Sequence, residues 1–285
     1  MTMMVIEAIP KVSGMVYAVV ATIAVVVLFR TDRFNMKTGY LLLALSTVFG
    51  FLVFAPMLPY QFQAFLLGNT AGLGVPVAMA AAVLLLFIVL AFLFGRAFCG
   101  YVCPIGAAQE LAYHVPVRKL KLRGKVVPVT FRLVFLIAAV ALALASSIGL
   151  LTYLGIRDFF YLNVTSAFFY VFLALVIVGV FFYRPFCRFL CPYGALLGLA
   201  SVKGVFKLRR NENCIECGEC EEVCPTGEAG RTDRKQECYM CNRCREVCPA
   251  DAIAYVRRRV RRPLAGEEAH EPELGAVGAG REEDD

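Results

Sequence analysis

Histidine is almost absent from this sequence, with two residues among 285. Neither His114 nor His270 lies in an apolar run. A membrane b-type cytochrome usually binds its haem through histidines inside its helices, so the sequence excludes a bis-histidine haem. Charged residues are also scarce, at 18%, whereas 59% of the residues are hydrophobic. Soluble domains are nearer half apolar, and the excess here indicates a protein that spans a membrane.

The apolar residues are concentrated before residue 205, and charged residues and cysteines dominate after it. A spanning helix needs about 20 mostly apolar residues. Five segments are predicted to span: 13–30, 38–58, 76–95, 130–151 and 166–183. The first is predicted to be a retained helix and not a signal peptide, because no A-x-A cleavage site precedes Arg30. Arg132, near the start of the fourth, is expected to extend its side chain to the interface.

Lysine and arginine lie mostly on one side of the predicted helices. The loops on that side, together with Arg132, hold sixteen of them, whereas the loops on the other side hold two. The positive-inside rule places the richer side in the cytoplasm. The predicted location is therefore the cytoplasmic membrane, crossed several times, with the N-terminus outside. The cysteine-rich segment then lies inside, in a compartment where disulfides are rare.

One thiol motif occurs twice. Residues 96–107 are RAFCGYVCPIGA, and residues 184–195 are RPFCRFLCPYGA. Both follow apolar segments that start on the same side, which predicts two parallel repeat units at about 38–125 and 130–210. If the apolar helices continue through the motifs, both cysteines of each motif share one helix face. Pro104 and Pro192 would then end these helices on the cytoplasmic face.

The cysteines of this repeat are Cys99, Cys103, Cys187 and Cys191. Cβ atoms four residues apart on a helix are about 5–6 Å apart, whereas a disulfide needs about 3.5–4.5 Å. The spacing therefore disfavours an intrahelical disulfide and allows each pair to bind a metal. Four soft thiolates suit iron–sulfur or zinc, so an additional thiol, metal or cluster site is one hypothesis. Four reduced cysteines that pack as small hydrophobic residues are the alternative.

Eight further cysteines follow the second motif. Residues 214–225 are CIECGECEEVCP and residues 238–249 are CYMCNRCREVCP, each a C-x2-C-x2-C-x3-C-P run. In bacterial two-cluster ferredoxins three cysteines of a run bind one cluster and the fourth binds the other. The predicted ligands are Cys214, Cys217, Cys220 and Cys248 for cluster 1, and Cys238, Cys241, Cys244 and Cys224 for cluster 2. Zinc is the alternative, although zinc sites usually combine two C-x2-C pairs across a longer loop.

The predicted architecture has three parts. Residues 1–205 form an all-α polytopic membrane domain, and residues 206–256 form a small α+β ferredoxin domain with two [4Fe–4S] clusters. Residues 257–285 form a tail that is first basic and then acidic, a composition typical of disorder. The basic stretch RRRVRR is expected to meet membrane lipid or an acidic partner, or to be solvated. Nucleic acid is excluded as a partner, because the stretch is short and no nucleic-acid fold accompanies it.

The combination of motifs resembles the NapH-type membrane polyferredoxins, which are quinol dehydrogenase subunits, and the related NosR-type and CcoG-type proteins. The resemblance covers about residues 38–256 and rests on both C-x-x-x-C-P motifs and both cysteine runs. It implies a haem-free electron-transfer subunit of a quinol dehydrogenase-type oxidoreductase. Electrons would pass between the quinone pool and a redox partner protein through two [4Fe–4S] clusters. The first predicted helix is additional to the family pattern. The resemblance does not identify the redox partner of this chain.

Two other functions are compatible with the same residues. One is a CcoG-like factor that reduces a metal ion for a respiratory metalloenzyme, and the other is a ferredoxin-docking subunit of a larger redox complex. His114 is a candidate proton relay, and polar residues of the outer loops are candidates for binding a quinone headgroup, although ordinary interfacial roles explain both. The outer-loop candidates are Tyr60, Gln61, Gln63, Asn69, Tyr153, Arg157, Asp158 and Tyr161.

Overall fold

A computed structural model of the chain describes residues 2–55, 57–69, 76–120 and 125–257, with side chains from residue 13 onwards. Most of the tail predicted at 257–285 lies outside these ranges. The helices in the described parts are α1 (Thr2–Arg30), α2 (Met36–Val53), α3 (Leu58–Leu66), α4 (Val77–Phe94), π1 (Phe98–Val102), α5 (Pro104–Tyr113), α6 (Val126–Ser146), α7 (Leu150–Tyr153), α8 (Ile156–Phe160), α9 (Ala167–Phe181), π2 (Phe186–Leu190), α10 (Pro192–Val202), α11 (Glu219–Val223) and α12 (Arg243–Glu246). The strands are β1 (Phe206–Arg210) and β2 (Ile253–Arg257).

Four of these helices, α1, α2, α4 and α6, are long and apolar enough to cross a membrane. They correspond to the first four predicted spans. The fifth predicted span, 166–183, is the apolar helix α9, which has 15 residues. At 1.5 Å per residue it is about 22 Å long, which is shorter than the hydrocarbon core of about 30 Å. The protein is thus a helical membrane protein in which one predicted span is too short to cross alone.

Local sequence explains where the apolar helices start. Asn35 precedes α2, and its side chain accepts a 2.8 Å hydrogen bond from the backbone N–H of Thr38. Ser166 precedes α9 and accepts a hydrogen bond from the N–H of Phe168 in the same way. These side chains satisfy N–H groups that the first turn of a helix leaves unpaired.

Helix α4 does not continue through the first thiol motif. The helix ends at Phe94, a short π-helix π1 carries Cys99, and Cys103 has an extended backbone. Pro104 then occupies the first turn of the new helix α5, where the missing N–H of proline has no cost. The prolines therefore start helices and do not end them, and the two cysteines of a motif do not share one α-helical face.

The first motif turns back between the helices. The hydroxyl of Tyr255, in the ferredoxin domain, donates a hydrogen bond to the carbonyl of Phe94, so α4 ends beside that domain. Pro104, in contrast, lies next to Gly50 at the opposite end of α2, where a Cβ on Gly50 would come within 2.6 Å of its Cβ. Helix α5 returns from there to the ferredoxin domain, where Glu110 binds Arg243. The segment is re-entrant, and such backbone is tolerated at membrane depth where protein surrounds it.

The second motif repeats this path with π2 and α10. The hydroxyl of Tyr193 donates a 2.6 Å hydrogen bond to the carbonyl of Leu84, which lies in the middle of α4. At the other end of α10, Ser201 contacts the carbonyl of Gln236 in the ferredoxin domain. The predicted position of both motifs at the cytoplasmic ends of the helices is therefore wrong for the second cysteines, which lie deep between the helices.

The two units interlock. Helix α5 of the first unit packs against α2 and against α9 of the second unit, and α10 of the second unit packs against α6 and against α4 of the first. Each re-entrant helix is thus held by both repeats. Because neither unit covers its own thiol motif alone, the four cysteines are buried only when both repeats are folded together.

The ferredoxin domain is closed by one antiparallel pair of strands. β1 precedes the first cysteine run, β2 follows the second, and Leu208 pairs with Tyr255 in the register. Both of these side chains are buried. The ring of Phe29, at the end of α1, lies 6.1 Å from the ring of Tyr255, so the first helix also contacts this domain.

Candidate functional site

The eight cysteines of the ferredoxin domain line two neighbouring cavities. The first is lined by the cysteines assigned to cluster 1, namely Cys214, Cys217, Cys220 and Cys248. The second is lined by those assigned to cluster 2, namely Cys224, Cys238, Cys241 and Cys244. The structure thus brings the fourth cysteine of each run to the cavity of the other run. Arg210 and Ile253 line both cavities, so the two sites are adjacent.

Both runs have the same backbone conformation. Glu216 and Met240, at equivalent positions, have positive φ, and so do Gly218 and Asn242, which precede the short helices α11 and α12. Glycine and asparagine are the residues that adopt this conformation most readily. This conformation turns each C-x2-C-x2-C segment around its cavity.

Backbone N–H groups point at the crossing cysteines. The N–H of Glu228 lies 3.3 Å from the sulfur of Cys224, and the N–H of Ala252 lies 3.3 Å from the sulfur of Cys248. Such donors stabilise thiolate charge. Sulfur atoms that bind metal are thiolates. These contacts are therefore more typical of metal-binding sulfurs than of neutral thiols in an apolar core.

The grouping of the cysteines fits two four-iron clusters. A four-iron cluster binds four cysteines, each through a different iron, and each cavity is lined by three cysteines of one run and the fourth of the other. In the parts of the chain that the structure describes, no group of three His, Cys, Asp or Glu side chains is arranged for a single metal ion.

The four cysteines of the membrane motifs are buried and form no disulfide. They lie in the two thiol motifs, whose helices pack against both repeats, and we call these four buried cysteines the four-thiol site. The N–H of Gly194 lies 3.2 Å from the sulfur of Cys191.

Buried arginines surround the four-thiol site. Arg96, Arg132, Arg184 and Arg188 are each at most 2% exposed. Arg132 donates a hydrogen bond to the carbonyl of Cys187, and Arg184 donates to the carbonyl of Cys99. The expected extension of Arg132 to the interface is therefore wrong, because its guanidinium finds partners inside the protein.

Two buried carboxylates pair with these arginines. Glu237 of the ferredoxin domain accepts hydrogen bonds from Arg96 at 3.1 Å and from Arg132 at 2.6 Å. Glu110 of α5 binds Arg184 at 2.7 Å and Arg243 at 2.5 Å. Burial raises the pKa of Glu110, but the two guanidiniums outweigh this effect and lower it to about 2. The ferredoxin domain is thus held to the membrane domain by buried charge.

Tyr239, between two cysteines of cluster 2, reaches into this interface. Its hydroxyl lies 3.4 Å from the carbonyl oxygen of Cys187. The guanidinium of Arg96 lies 4.2 Å from the centre of its ring. A Cβ on Gly100 would come within 2.3 Å of the Tyr239 carbonyl oxygen, so only glycine at residue 100 allows this approach.

Two of the candidates for a quinone headgroup in the outer loops have structural roles. Gln63 is buried, accepts a 2.6 Å hydrogen bond from the N–H of Leu151 and contacts Thr152. Asp158 accepts a hydrogen bond from Ser166. These contacts tie the outer connections together.

His114 lies elsewhere, at the C-terminal end of α5. Its Nδ1 lies 2.7 Å from the carbonyl of Glu110, and its Nε2 lies 3.3 Å from Arg243. A small cavity there is lined by Tyr40, His114, Glu110 and the cluster 2 cysteine Cys241. The histidine is therefore neither isolated nor simply solvated.

Sequence reasoning missed the buried charge network. Glu110 belongs to no motif, and Glu237 and Arg243 lie beside and within the second cysteine run at positions that the cysteine spacing does not specify. One signal was present in the arginine that starts each thiol motif, Arg96 and Arg184. Its recurrence in both copies pointed to a role tied to the cysteines.

A family model described as a 4Fe-4S binding domain matches the chain twice, at residues 76–123 and 166–211. Each match contains one C-x-x-x-C-P motif. A second model with the same description matches residues 210–227, which hold the first cysteine run. No solved structure matches the chain.

Several curated proteins are similar to this chain. YccM of Escherichia coli (strain K12), provisionally named an electron transport protein, is 33% identical over 53% of this chain and 48% of its own length. NirI of Paracoccus denitrificans is 33% identical over 46% of this chain and 21% of its own length. The ferredoxin-type protein NapH of Haemophilus influenzae is 25% identical over 54% of this chain and 55% of its own length. The chain spans less than two thirds of the length of each.

The family-model matches include both thiol motifs and the first cysteine run. Proteins named NapH, NirI and NosR are among those similar to the chain, which agrees with the resemblance found in the motifs. The chain is therefore similar to ferredoxin-type proteins such as NapH and contains matches to 4Fe-4S binding domains.

Proposed function

We propose that this protein is a membrane-bound iron–sulfur electron carrier that moves electrons between membrane quinol and a redox partner protein. The observation that supports it best is the arrangement of the eight ferredoxin cysteines, which line two adjacent cavities in crossed sets. That is the ligand pattern of a bacterial two-cluster ferredoxin. When bound, the two [4Fe–4S] clusters supply one-electron transfer.

The residues around the two cavities suggest the order in which electrons pass through the two clusters. The cavity of cluster 2 contacts the membrane domain, because Cys241 also lines the space beside Glu110 and Tyr101. The cavity of cluster 1 lies toward solvent, where Cys217 is exposed and Ile215 is 67% exposed. In the proposed route the membrane donor is close to cluster 2, and the soluble partner meets the surface around Cys217.

Quinol is the proposed donor because it is the two-electron carrier that a membrane domain can reach. Oxidation of one quinol to quinone releases two electrons and two protons, and two one-electron clusters can accept one electron each. The surplus of lysine and arginine on the ferredoxin side favours a cytoplasmic location for this domain. Four of these residues are buried inside the protein, namely Arg96, Arg132, Arg184 and Arg188. The remaining lysines and arginines on the ferredoxin side still outnumber the two on the other side.

Proteoliposomes that contain the intact protein test the donor. Reduced quinol is expected to bleach the visible absorbance of the clusters, with one quinol consumed for every two electrons taken up. Reduction of added cupric ion by clusters that a chemical reductant has reduced beforehand, without quinol, would instead indicate a metal-reducing factor. Neither activity in a protein with full cluster content would indicate a docking subunit, and would reject the quinol proposal.

The four-thiol site is proposed to hold a third centre. Its support is the burial of four free cysteines in two motifs whose helices pack against both repeats, and the match of a 4Fe-4S binding domain model to both of their segments. Iron and acid-labile sulfide in the purified protein give the test. About twelve irons per chain indicate three four-iron clusters, whereas about eight reject the third. Substitution of Cys191 by Ser is expected to lower the count by about four irons and leave the ferredoxin clusters intact.

A further inference from the structure

Tyr239 is an aromatic residue that touches both metal-binding regions. Tyr239 lies directly after Cys238, a cluster 2 cysteine, and its hydroxyl lies 3.4 Å from the carbonyl of Cys187 in the four-thiol site. Its side chain is 2% exposed. The residue therefore spans the interface from one cysteine loop to the other without intervening solvent.

Two guanidiniums hold the Tyr239 ring. The guanidinium carbon of Arg96 lies 4.2 Å from the ring centre and that of Arg184 lies 4.9 Å away. Both distances are within the range of cation–π attraction, which strengthens when the groups are desolvated. Arg96 and Arg184 are the equivalent first residues of the two thiol motifs, so the repeat supplies both contacts.

Arg96 also faces the thiols. The sulfur of Cys191 and Nη2 of Arg96 both lie next to Gly194. A Cβ added to this glycine would be 3.1 Å from the sulfur and 3.3 Å from Nη2. Arg96 is fully buried, and its Nε has no hydrogen-bond partner in the described residues. Its charge thus lies between the Tyr239 ring and the four-thiol site.

Positive charge exceeds negative charge in this interface. Arg96 and Arg132 share the single carboxylate of Glu237, and Arg184 and Arg243 share that of Glu110. A buried charge without a counter-charge is strongly destabilising. Thiolates that bind metal are anionic, so centres on either side of Tyr239 would offset the surplus.

We infer that Tyr239 is the residue through which cluster 2 and the four-thiol site exchange electrons, and that Arg96 positions its ring and balances the charge of the four-thiol site. The inference rests on the proposed third centre. In the step, one electron leaves the reduced cluster 2 and the oxidised four-thiol centre takes it up, or the reverse. No bond forms or breaks and no further reactant is needed.

A second tyrosine provides a matched control. Tyr101 also joins the two domains, since its hydroxyl donates a 3.1 Å hydrogen bond to the carbonyl of Met240 in the cluster 2 loop. Its ring, however, lies against Phe34 at 5.0 Å. Tyr101 therefore resembles Tyr239 in domain docking, whereas Arg96 and Arg184 both lie over the ring of Tyr239.

The experiment uses the full-length protein with its clusters, as wild type, Tyr239→Leu, Tyr239→Phe and Tyr101→Phe. Iron content and electron paramagnetic resonance report the centres, and a photochemical one-electron donor reduces the ferredoxin clusters. Spin coupling between cluster 2 and the four-thiol centre is expected in the wild type. Electron exchange between them is expected to slow by at least several-fold in Tyr239→Leu and to stay near the wild-type rate in Tyr239→Phe and Tyr101→Phe.

Two results would overturn the inference. One is a wild-type rate in Tyr239→Leu with full iron content, and the other is loss of the four-thiol centre in Tyr239→Leu but not in Tyr101→Phe, which would make Tyr239 an assembly residue. About eight irons in the wild type itself would reject the third centre, and would leave the ferredoxin clusters of the proposed function standing.

Discussion

Glu237 of the ferredoxin domain accepts a 2.6 Å hydrogen bond from Arg132, a residue of the long apolar helix α6. The same carboxylate oxygen accepts a hydrogen bond from Arg96, and all three side chains are about 1% exposed. A spanning helix, a re-entrant motif and the ferredoxin domain therefore meet at one carboxylate. The attachment of the two domains depends on charge that is removed from water.

Glu237→Gln is expected to weaken this attachment. The substitution leaves Arg96 and Arg132 buried without a counter-charge, and loss of one partner of a buried pair costs about 3–5 kcal/mol. We expect a lower thermal midpoint of the detergent-solubilised protein and faster proteolytic release of the ferredoxin domain.

Glu216→Gln is the control for that change. Glu216 pairs with Arg231 at 3.3 Å on the surface, where the two side chains are 71% and 51% exposed. Such pairs contribute about 0–1 kcal/mol, so a small effect is expected. Equal effects of the two substitutions would contradict the role given to Glu237.

The crossed ligand sets predict which cysteines act together. Cys224→Ala is expected to remove cluster 2, as Cys241→Ala does, because Cys224 lines the cavity of the second run. Cys248→Ala is expected to resemble Cys220→Ala and remove cluster 1. The midpoint potential of the surviving cluster identifies it in each variant. If Cys224→Ala instead matched Cys220→Ala, each run would bind its own cluster.

Arg96→Gln is expected to lower the midpoint potential of the four-thiol centre. The reduced centre carries one more negative charge than the oxidised one, and a nearby positive charge stabilises it. Arg96→Lys keeps the charge and is expected to restore much of the potential. The potential of cluster 1 is the internal reference, and an unchanged potential in Arg96→Gln would remove Arg96 as the counter-charge.

Glu110 predicts a pH dependence of stability. Its pKa in the folded protein is about 2, below the value of about 4.3 for an exposed glutamate. Its contribution is therefore complete above the unfolded value and is lost as the pH falls toward about 2. We expect the thermal midpoint, followed by tyrosine fluorescence, to fall as the pH is lowered from 5 to 3. Loss of the Glu110 contribution accounts for part of this fall.

Glu110→Gln is expected to lower the midpoint at neutral pH and to remove that part of the acid dependence. Glu219→Gln, on the exposed first turn of α11, is the control that keeps the wild-type profile. An acid profile of Glu110→Gln that runs parallel to the wild type would show that Glu110 does not pair as described.

The ferredoxin ligands could be assigned from sequence because their information is local. Three cysteines within a short run can bind only one cluster, and the two αL residues that shape each run lie at fixed offsets from Cys214 and Cys238. The spans followed from length and hydropathy in the same way. Helix α9 shows the limit of this argument. The apolar segment 166–183 is long enough to predict a span, but the helix covers only Ala167–Phe181.

The path of the thiol motifs could not be predicted, because it depends on contacts between residues far apart in sequence. Periodicity allows a helix to run through Cys99 and Cys103, and the local sequence does not exclude it. The actual turn is held by Pro104 against α2 and by Tyr193 against the carbonyl of Leu84.

The sequence by itself determined that this is a membrane protein with a repeated thiol motif and a two-cluster cysteine pattern, because apolar length and ligand spacing are properties of short segments. Only the tertiary structure decided where the four membrane cysteines lie and which charges surround them. Burial of Arg96, Arg132 and Arg184 costs free energy unless distant carboxylates and sulfurs meet them, and that condition is satisfied only after both repeats and the ferredoxin domain have assembled.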